Sequence, residues 1–467
     1  MQADRIGPSV LKWMSSQLRR GVPHSPVNPL IEGAYTPVPA EQTSTSMRVT
    51  GALPVELNGT FVRIGPNPIR VPNPGAHHWF AGEGMVHGVR LREGRADWFG
   101  SRWVKTDGVS KWLGEPPLPG RRNGVAEVVN INVIRHAGKL WALTEAGPLP
   151  IELDGELRSV RHSFFGLPKK AAFSAHPHLD PADGSLHAVC YEGGPGKAAR
   201  YVALAADGTL SRDVAIPLPR NTMIHDCAIT RSSVVVLDLP VKFSGREFWR
   251  GAQVPYGWDG KCQARVGLLS RNGAASAMRW WNLAPCFVYH TCNAHDLDDG
   301  GVVLDVIVHG STFDGAPLGD KRPLSFERWT LDPDASEVRR SVWSDLEQEF
   351  PRFDERRTTR PHRYAYMVGF RPGSRDAQPL YKHDLTRGTV ARHDFGAGRI
   401  PGEAVFVPRS DSAAEDDGWL LTYVYDLGSN TSELVVLDAA DVAAAPRASV
   451  HLPAPVPMGL HSNWIAH

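Results

Sequence analysis

Two-residue turn signals set the strongest limit on how this chain can fold. Asp-Gly pairs begin at Asp107, Asp154, Asp183, Asp207, Asp259, Asp299, Asp314 and Asp417, and Asn-Gly pairs at Asn58, Asn123 and Asn272. Such pairs are the strongest short-range signal for a tight hairpin, because glycine accepts the positive φ that the turn demands. Short apolar or alternating runs lie between them, among them Leu186–Tyr191, Ser233–Leu237, Val302–Val308, Trp419–Tyr425 and Glu433–Leu437. β-branched and aromatic residues fill these runs, as strands require. No comparably long helical pattern separates them, so a doubly wound α/β sheet is excluded. The predicted class is all-β, with antiparallel strands throughout.

A chain of 467 residues exceeds what one hydrophobic core usually fills, unless the body is built from repeated units. So many short hairpins also need an arrangement that hides strand edges. Radial repetition of four-stranded blades does this, and a β-propeller is the expected architecture. No fixed-spacing sequence repeat is visible, so the residues alone leave the blade number open. The N-terminal stretch reads differently. Val10, Trp13, Met14 and Leu18 share one face at helical spacing, and Pro23, Pro26, Pro29, Pro37 and Pro39 then impose an extended strap. Residues 1–48 are expected to form this helix and strap, and 49–467 the propeller.

Lys plus Arg total 51 against 50 for Asp plus Glu. No basic field exists to hold nucleic acid, which excludes a dedicated nucleic-acid binder. Five cysteines without C-x-x-C spacing read as buried free thiols in a reducing compartment. No apolar run is long enough for a spanning helix and no secretory pattern opens the chain, so a cytoplasmic protein is expected. The short apolar face at Trp13 and Met14 reads as a clasp on the body or as a peripheral membrane contact.

Most of the 19 histidines should be surface or satisfied core residues. Four stand in unusual settings: His176 in Ala175-His176-Pro177-His178, His225 in Met223-Ile224-His225-Asp226-Cys227, His290 in Tyr289-His290-Thr291-Cys292, and His461 in Gly459-Leu460-His461-Ser462. Their separations of 49, 65 and 171 residues rule out a finger or a single metal-binding helix. Only a fold that brings distant strands to one axis can unite them.

These four contexts come in the same chain order as two further motifs, Asn58-Gly59-Thr60-Phe61-Val62-Arg63-Ile64-Gly65-Pro66-Asn67-Pro68 and Gly402-Glu403-Ala404-Val405-Phe406-Val407-Pro408-Arg409. Together they resemble the carotenoid cleavage oxygenase family from about Asn28 to the C-terminus. The resemblance implies a seven-bladed propeller with one non-haem Fe(2+) per chain on its axis, held by His176, His225, His290 and His461. It further implies carboxylates behind the imidazoles, at Glu145, Asp296 and Glu403, and no catalytic side chain beyond the metal centre. Asp296 departs from the family's glutamate by one methylene. A second departure, Phe80-Ala81-Gly82-Glu83-Gly84-Met85-Val86-His87, reads as a structural hairpin, and His77, His78 and His87 are not taken as ligands. The chemistry is coherent in itself: neutral imidazoles suit a borderline ion such as Fe(II), and carboxylates on their other N–H orient the rings.

The implied reaction is oxidative cleavage of a conjugated C=C bond by O2 to two carbonyl products. No flavin or nicotinamide is needed, and neither G-x-G-x-x-G nor a Walker loop is present. Family members that cleave stilbenes engage a 4-hydroxyl through a tyrosine and a lysine. Between Thr106 and Asn130 this chain has no tyrosine, and Lys111 alone imitates half of that clamp. The expected substrate is therefore an apolar apocarotenoid or carotenoid, with a lignostilbene or phenylpropene as the alternative. A propeller scaffold with structural histidines and an isomerohydrolase on the same iron are the competing readings.

Overall fold

In the computed structural model, which describes residues 14, 17–123, 128–168, 171–193, 198–314, 324–371, 374, 376 and 378–467, seven antiparallel sheets form the blades of a propeller. The strand nearest the axis in each blade is Ser462–Ala466, Asn132–His136, His178–Leu179, Cys227–Ile229, Thr291–Asp296, Gln348–Arg352 and Val405–Pro408. Contacts between neighbouring blades run through these strands, which places them innermost.

Both ends of the chain close the ring. Ser462–Ala466 joins the first blade beside Gly59–Pro66, from Gly59 opposite Ala466 to Arg63 opposite Ser462. Arg48–Gly51 crosses the same junction the other way and pairs with Ala448–His451 of the last blade. The strap expected ahead of Val49 therefore supplies one whole strand, Gln42–Ser44, which pairs with Arg95–Trp103, and the first residue of Arg48–Gly51. Asn28 anchors the strap by donating to the carbonyls of Pro74 and His77 at 2.8 and 2.9 Å. Within the expected N-terminal helix, Met14 and residues 17–20 are helical, while Val10 and Trp13 lie outside the described residues.

Burial follows position in the blade. Gly59–Pro66 and Val302–His309 are buried along their whole length, because each is sandwiched between neighbouring blades. Leu324–Leu331, one strand further out, alternates between buried and half-buried residues. The outermost strands Arg339–Ser344 and Thr389–His393 are largely exposed and carry arginines, which discourage edge pairing.

The turns refine the expectation. Gly184, Gly208 and Gly300 have φ of 71°, 84° and 84°, whereas Asp183, Asp207 and Asp299 stay at negative φ and accept from the backbone N–H two residues on, at 2.9 Å each. These are Asx turns with glycine alone in the left-handed region. Asp107 departs from the pattern. It opens a helix, Asp107–Leu113, because the Thr106 hydroxyl caps the Val109 N–H. The glycines after Asn123 and Asp314 lie outside the described residues. All five cysteines are unpaired, and four are buried. Among the described residues no helix is long and apolar enough to cross a membrane.

Candidate metal centre

Each of the four histidines stands one or two residues before an innermost strand: His176 before His178–Leu179, His225 before Cys227–Ile229, His290 before Thr291–Asp296 and His461 before Ser462–Ala466. Equivalent strands of a propeller run the same way along the axis, so the residues that precede them collect at one end. Ring nitrogens of His176, His290 and His461 lie within 4.8 Å of one another. His225 completes the group, its ring 4.3 Å from His176 and 5.5 Å from His290 between centroids.

Three of the rings lean on glutamates. Glu145 accepts from His225 Nδ1 at 3.0 Å, Glu349 from His290 Nδ1 at 2.7 Å and Glu403 from His461 Nδ1 at 3.1 Å. A proton held on Nδ1 leaves Nε2 as the lone-pair nitrogen of each ring. These glutamates come from the three blades that supply no histidine, so every blade contributes one residue to the centre. Glu349 is also bound by His309 Nε2 at 2.8 Å, and Arg352 lies 3.3 Å from Glu403. Phe350 packs its ring 5.2 Å from His290 and 5.7 Å from His461, and Tyr289 lies 5.1 Å from His225.

The electrostatics match this geometry. Burial, reinforced by the neighbouring imidazoles, pushes His176 well below the ordinary histidine range. Burial also lowers His461, against the pull of Glu403. At His290 burial is outweighed by the Glu349 carboxylate, and the imidazole is raised. Burial alone would raise Glu403, yet Arg352 and His461 bring it down to about 2. Two buried carboxylates, Glu349 and Glu403, and the half-buried Glu145, set behind four imidazoles, form a site arranged for a cation.

One carboxylate assignment is corrected. Asp296 does not reach His290. It accepts from Thr230 Oγ1 at 2.7 Å and from Ser232 Oγ at 2.6 Å. The strand Thr291–Asp296 advances about 3.3 Å per residue, which carries Asp296 away from the axial end. Glu349 takes its place. Sequence reading missed Glu349 because it lies in Gln348-Glu349-Phe350-Pro351-Arg352, a run without turn signals. A usable signal was its distance from His290, 59 residues, against 58 between Glu403 and His461, one blade in both cases. At the Phe80–His87 departure Glu83 accepts from the Ile69 N–H and His87 bonds Ser101, a structural role.

His176 supplies the test of fit to a metal. Its Nε2 is buried with no hydrogen-bond partner, a rare state for a buried polar atom. Beside three other imidazoles, that lone nitrogen suits an Fe(II)-type ion.

The family model described as retinal pigment epithelial membrane protein matches residues 35–466. The chain belongs to the carotenoid oxygenase family. It is 37% identical to the carotenoid cleavage oxygenase of Mycobacterium tuberculosis, over 94% of this chain and 97% of that one. Among solved structures, the Pseudomonas brassicacearum lignostilbene dioxygenase superposes with a TM-score of 0.85 at 29% identity, covering 96% of this chain and 100% of the other. Cobalt-substituted Synechocystis apocarotenoid oxygenase gives 0.84 at 27% identity, covering 94% and 98%. As a member of this family the chain is an oxygenase enzyme.

Proposed function

We propose that His176, His225, His290 and His461 hold one Fe(2+) and that the enzyme cleaves a conjugated C=C bond of an apocarotenoid or carotenoid. One alkene and one O2 give two carbonyl groups, so atoms and electrons balance without a further reductant. The observation that carries this reading is the convergence of four imidazoles from four blades, three of them backed by glutamates. Bound ferrous iron supplies the activation of O2 that an alkene alone cannot achieve. The protein's part is positioning. Glu145, Glu349 and Glu403 fix the ring tautomers, while Phe350 and Tyr289 wall the rings with apolar surface and limit water.

Support for an apolar polyene comes from the missing phenolic clamp. Lys111, the one residue able to imitate part of it, is exposed on the helix Asp107–Leu113. The likeness to the lignostilbene dioxygenase keeps a stilbene or phenylpropene as the second reading. Metal analysis, followed by aerobic and anaerobic incubation with apocarotenals and resveratrol-like stilbenes, separates the two by product mass. Absence of carbonyl products from both substrate classes would refute the cleavage reading.

An apolar substrate also gives the N-terminal segment a use at a lipid surface. The Leu18–Arg19 peptide is clasped against Gly251 of the body, and Trp249 close by, 61% exposed, is the apolar side chain that supports a peripheral contact there. Deleting residues 1–21 should weaken liposome binding, and unchanged binding would rule that contact out.

A further inference from the structure

Asp226 stands between His225 and the strand that follows it, and its carboxylate reaches both neighbouring blades. Oδ1 accepts from the Cys227 N–H at 2.7 Å and from His178 Nε2 at 2.9 Å. Oδ2 accepts from the Thr291 N–H at 2.7 Å. Thr291 Oγ1 lies 3.0 Å from Oδ2 and 2.8 Å from the Cys227 carbonyl, and its single proton serves one of them at a time. His178 comes two residues after His176, Cys227 two after His225, and Thr291 directly after His290. One carboxylate thus joins the first residues of three adjacent innermost strands, each just past a metal-binding histidine.

This role differs from that of the glutamates. Glu145, Glu349 and Glu403 orient individual rings through Nδ1, but none of them ties one histidine-bearing strand to the next. His176, in addition, has no carboxylate on its ring among the described residues, so its placement depends on its backbone. Asp226 grips that backbone through His178. His178, Asp226 and Cys227 could themselves be read as a metal-binding group. That reading fails because each Asp226 oxygen already accepts an N–H, and the Cys227 thiol is pushed well above its ordinary range by burial.

We infer that Asp226 is a positioning residue that sets the mutual spacing of His176, His225 and His290. The inference rests on the four-histidine metal centre and adds to it the element that holds three ligands in one frame. An amide at this position offers one acceptor oxygen where the carboxylate offers two, and its NH2 meets N–H groups already aimed at it. Asp226→Asn should therefore loosen the frame without removing any ligand.

The test uses full-length protein loaded with Co(II). In Asp226→Asn, cobalt release to excess chelator should accelerate roughly tenfold or more, the size of effect seen for residues that support ligands, and the ligand-field absorption band should shift. Asp180 is the control. It is as buried as Asp226, both at 4%, and accepts from Arg271 at 2.6 Å and the Ala182 N–H at 2.9 Å, but it touches no metal-binding strand end beyond its own. Asp180→Asn should lower the melting temperature while release rate and band stay as in the wild type. A folded Asp226→Asn protein with wild-type release and an unchanged band overturns the inference, as does an equal effect of Asp180→Asn. If Asp226→Asn does not fold, His178→Phe, which frees only the His176 strand, carries the same expectation and the same refutation. Wild-type protein that takes up neither Co(II) nor Fe(II) overturns the metal centre itself, a failure separate from that of Asp226.

Discussion

One oxygen of Glu349 accepts the Nδ1 proton of His290 at 2.7 Å, while the other accepts from His309 at 2.8 Å. Asp296, the acidic residue nearer to His290 in sequence, is engaged with Thr230 and Ser232 instead. Glu349→Gln should therefore weaken metal binding about 10–100-fold, as loss of a ligand's supporting partner does. Asp296→Asn should leave metal content and turnover near the wild-type level. Equilibrium competition with a calibrated chelator checks both, and the reverse order would restore the assignment to Asp296.

Stripping the metal should abolish alkene cleavage, and ferrous iron added back under nitrogen before exposure to air should restore it. Stability should move in parallel. Metal that binds only the native state stabilises it by about 2.7 kcal/mol when present at a hundred times its dissociation constant. Calorimetry of stripped and reloaded protein should show the melting temperature rising with metal concentration. Substituting His176, whose Nε2 is buried without a partner, by alanine should remove that dependence.

The parts legible in the sequence were those with local chemistry. Asp183-Gly184 and Asp207-Gly208 announce hairpins because a side-chain acceptor and a glycine in the left-handed region act within four residues. The four histidines, Glu145 and Glu403 were reached through the family resemblance, and the hydrogen bonds of Glu145 and Glu403 to His225 and His461 agree with it. Glu349 was not, since its partner is 59 residues away and its own neighbours read as an ordinary strand. Asp296, matched to a family glutamate through the resemblance, fails because the innermost strand Thr291–Asp296 carries it along the axis away from the histidine end, where it meets Thr230 and Ser232. Ring closure by Ser462–Ala466 was equally hidden, being a pairing across nearly the whole chain.

That closure yields its own prediction. Ile465 is 7% exposed and lies opposite Thr60, so Ile465→Ala should cost about 2–5 kcal/mol. Deleting residues 463–467 leaves His461 in place but strips four of the five positions that pair with one edge of Gly59–Pro66, a fully buried strand whose other edge stays paired with Gly84–Arg92. The truncated chain should lose its cooperative unfolding transition, because buried N–H and C=O groups are then unpaired. Chemical denaturation followed by tryptophan fluorescence distinguishes a shifted midpoint from a lost transition.

Acid sensitivity should come in part from buried neutral histidines away from the metal. His383 is 2% exposed, bonds Gln348 Oε1 at 2.9 Å, and is lowered by burial to about 4. In the unfolded chain its pKa is about 6.5. Between these values the unfolded state binds the extra proton, so stability is full above about pH 6.5 and falls as the pH drops towards 4. The slope from this one group approaches about 1.4 kcal/mol per pH unit. His383→Gln retains an N–H donor for Gln348 and removes the titration. Denaturation midpoints measured from pH 7 to 4 should therefore decline less steeply in the variant, and parallel curves would show that His383 is not protonated on unfolding in this range.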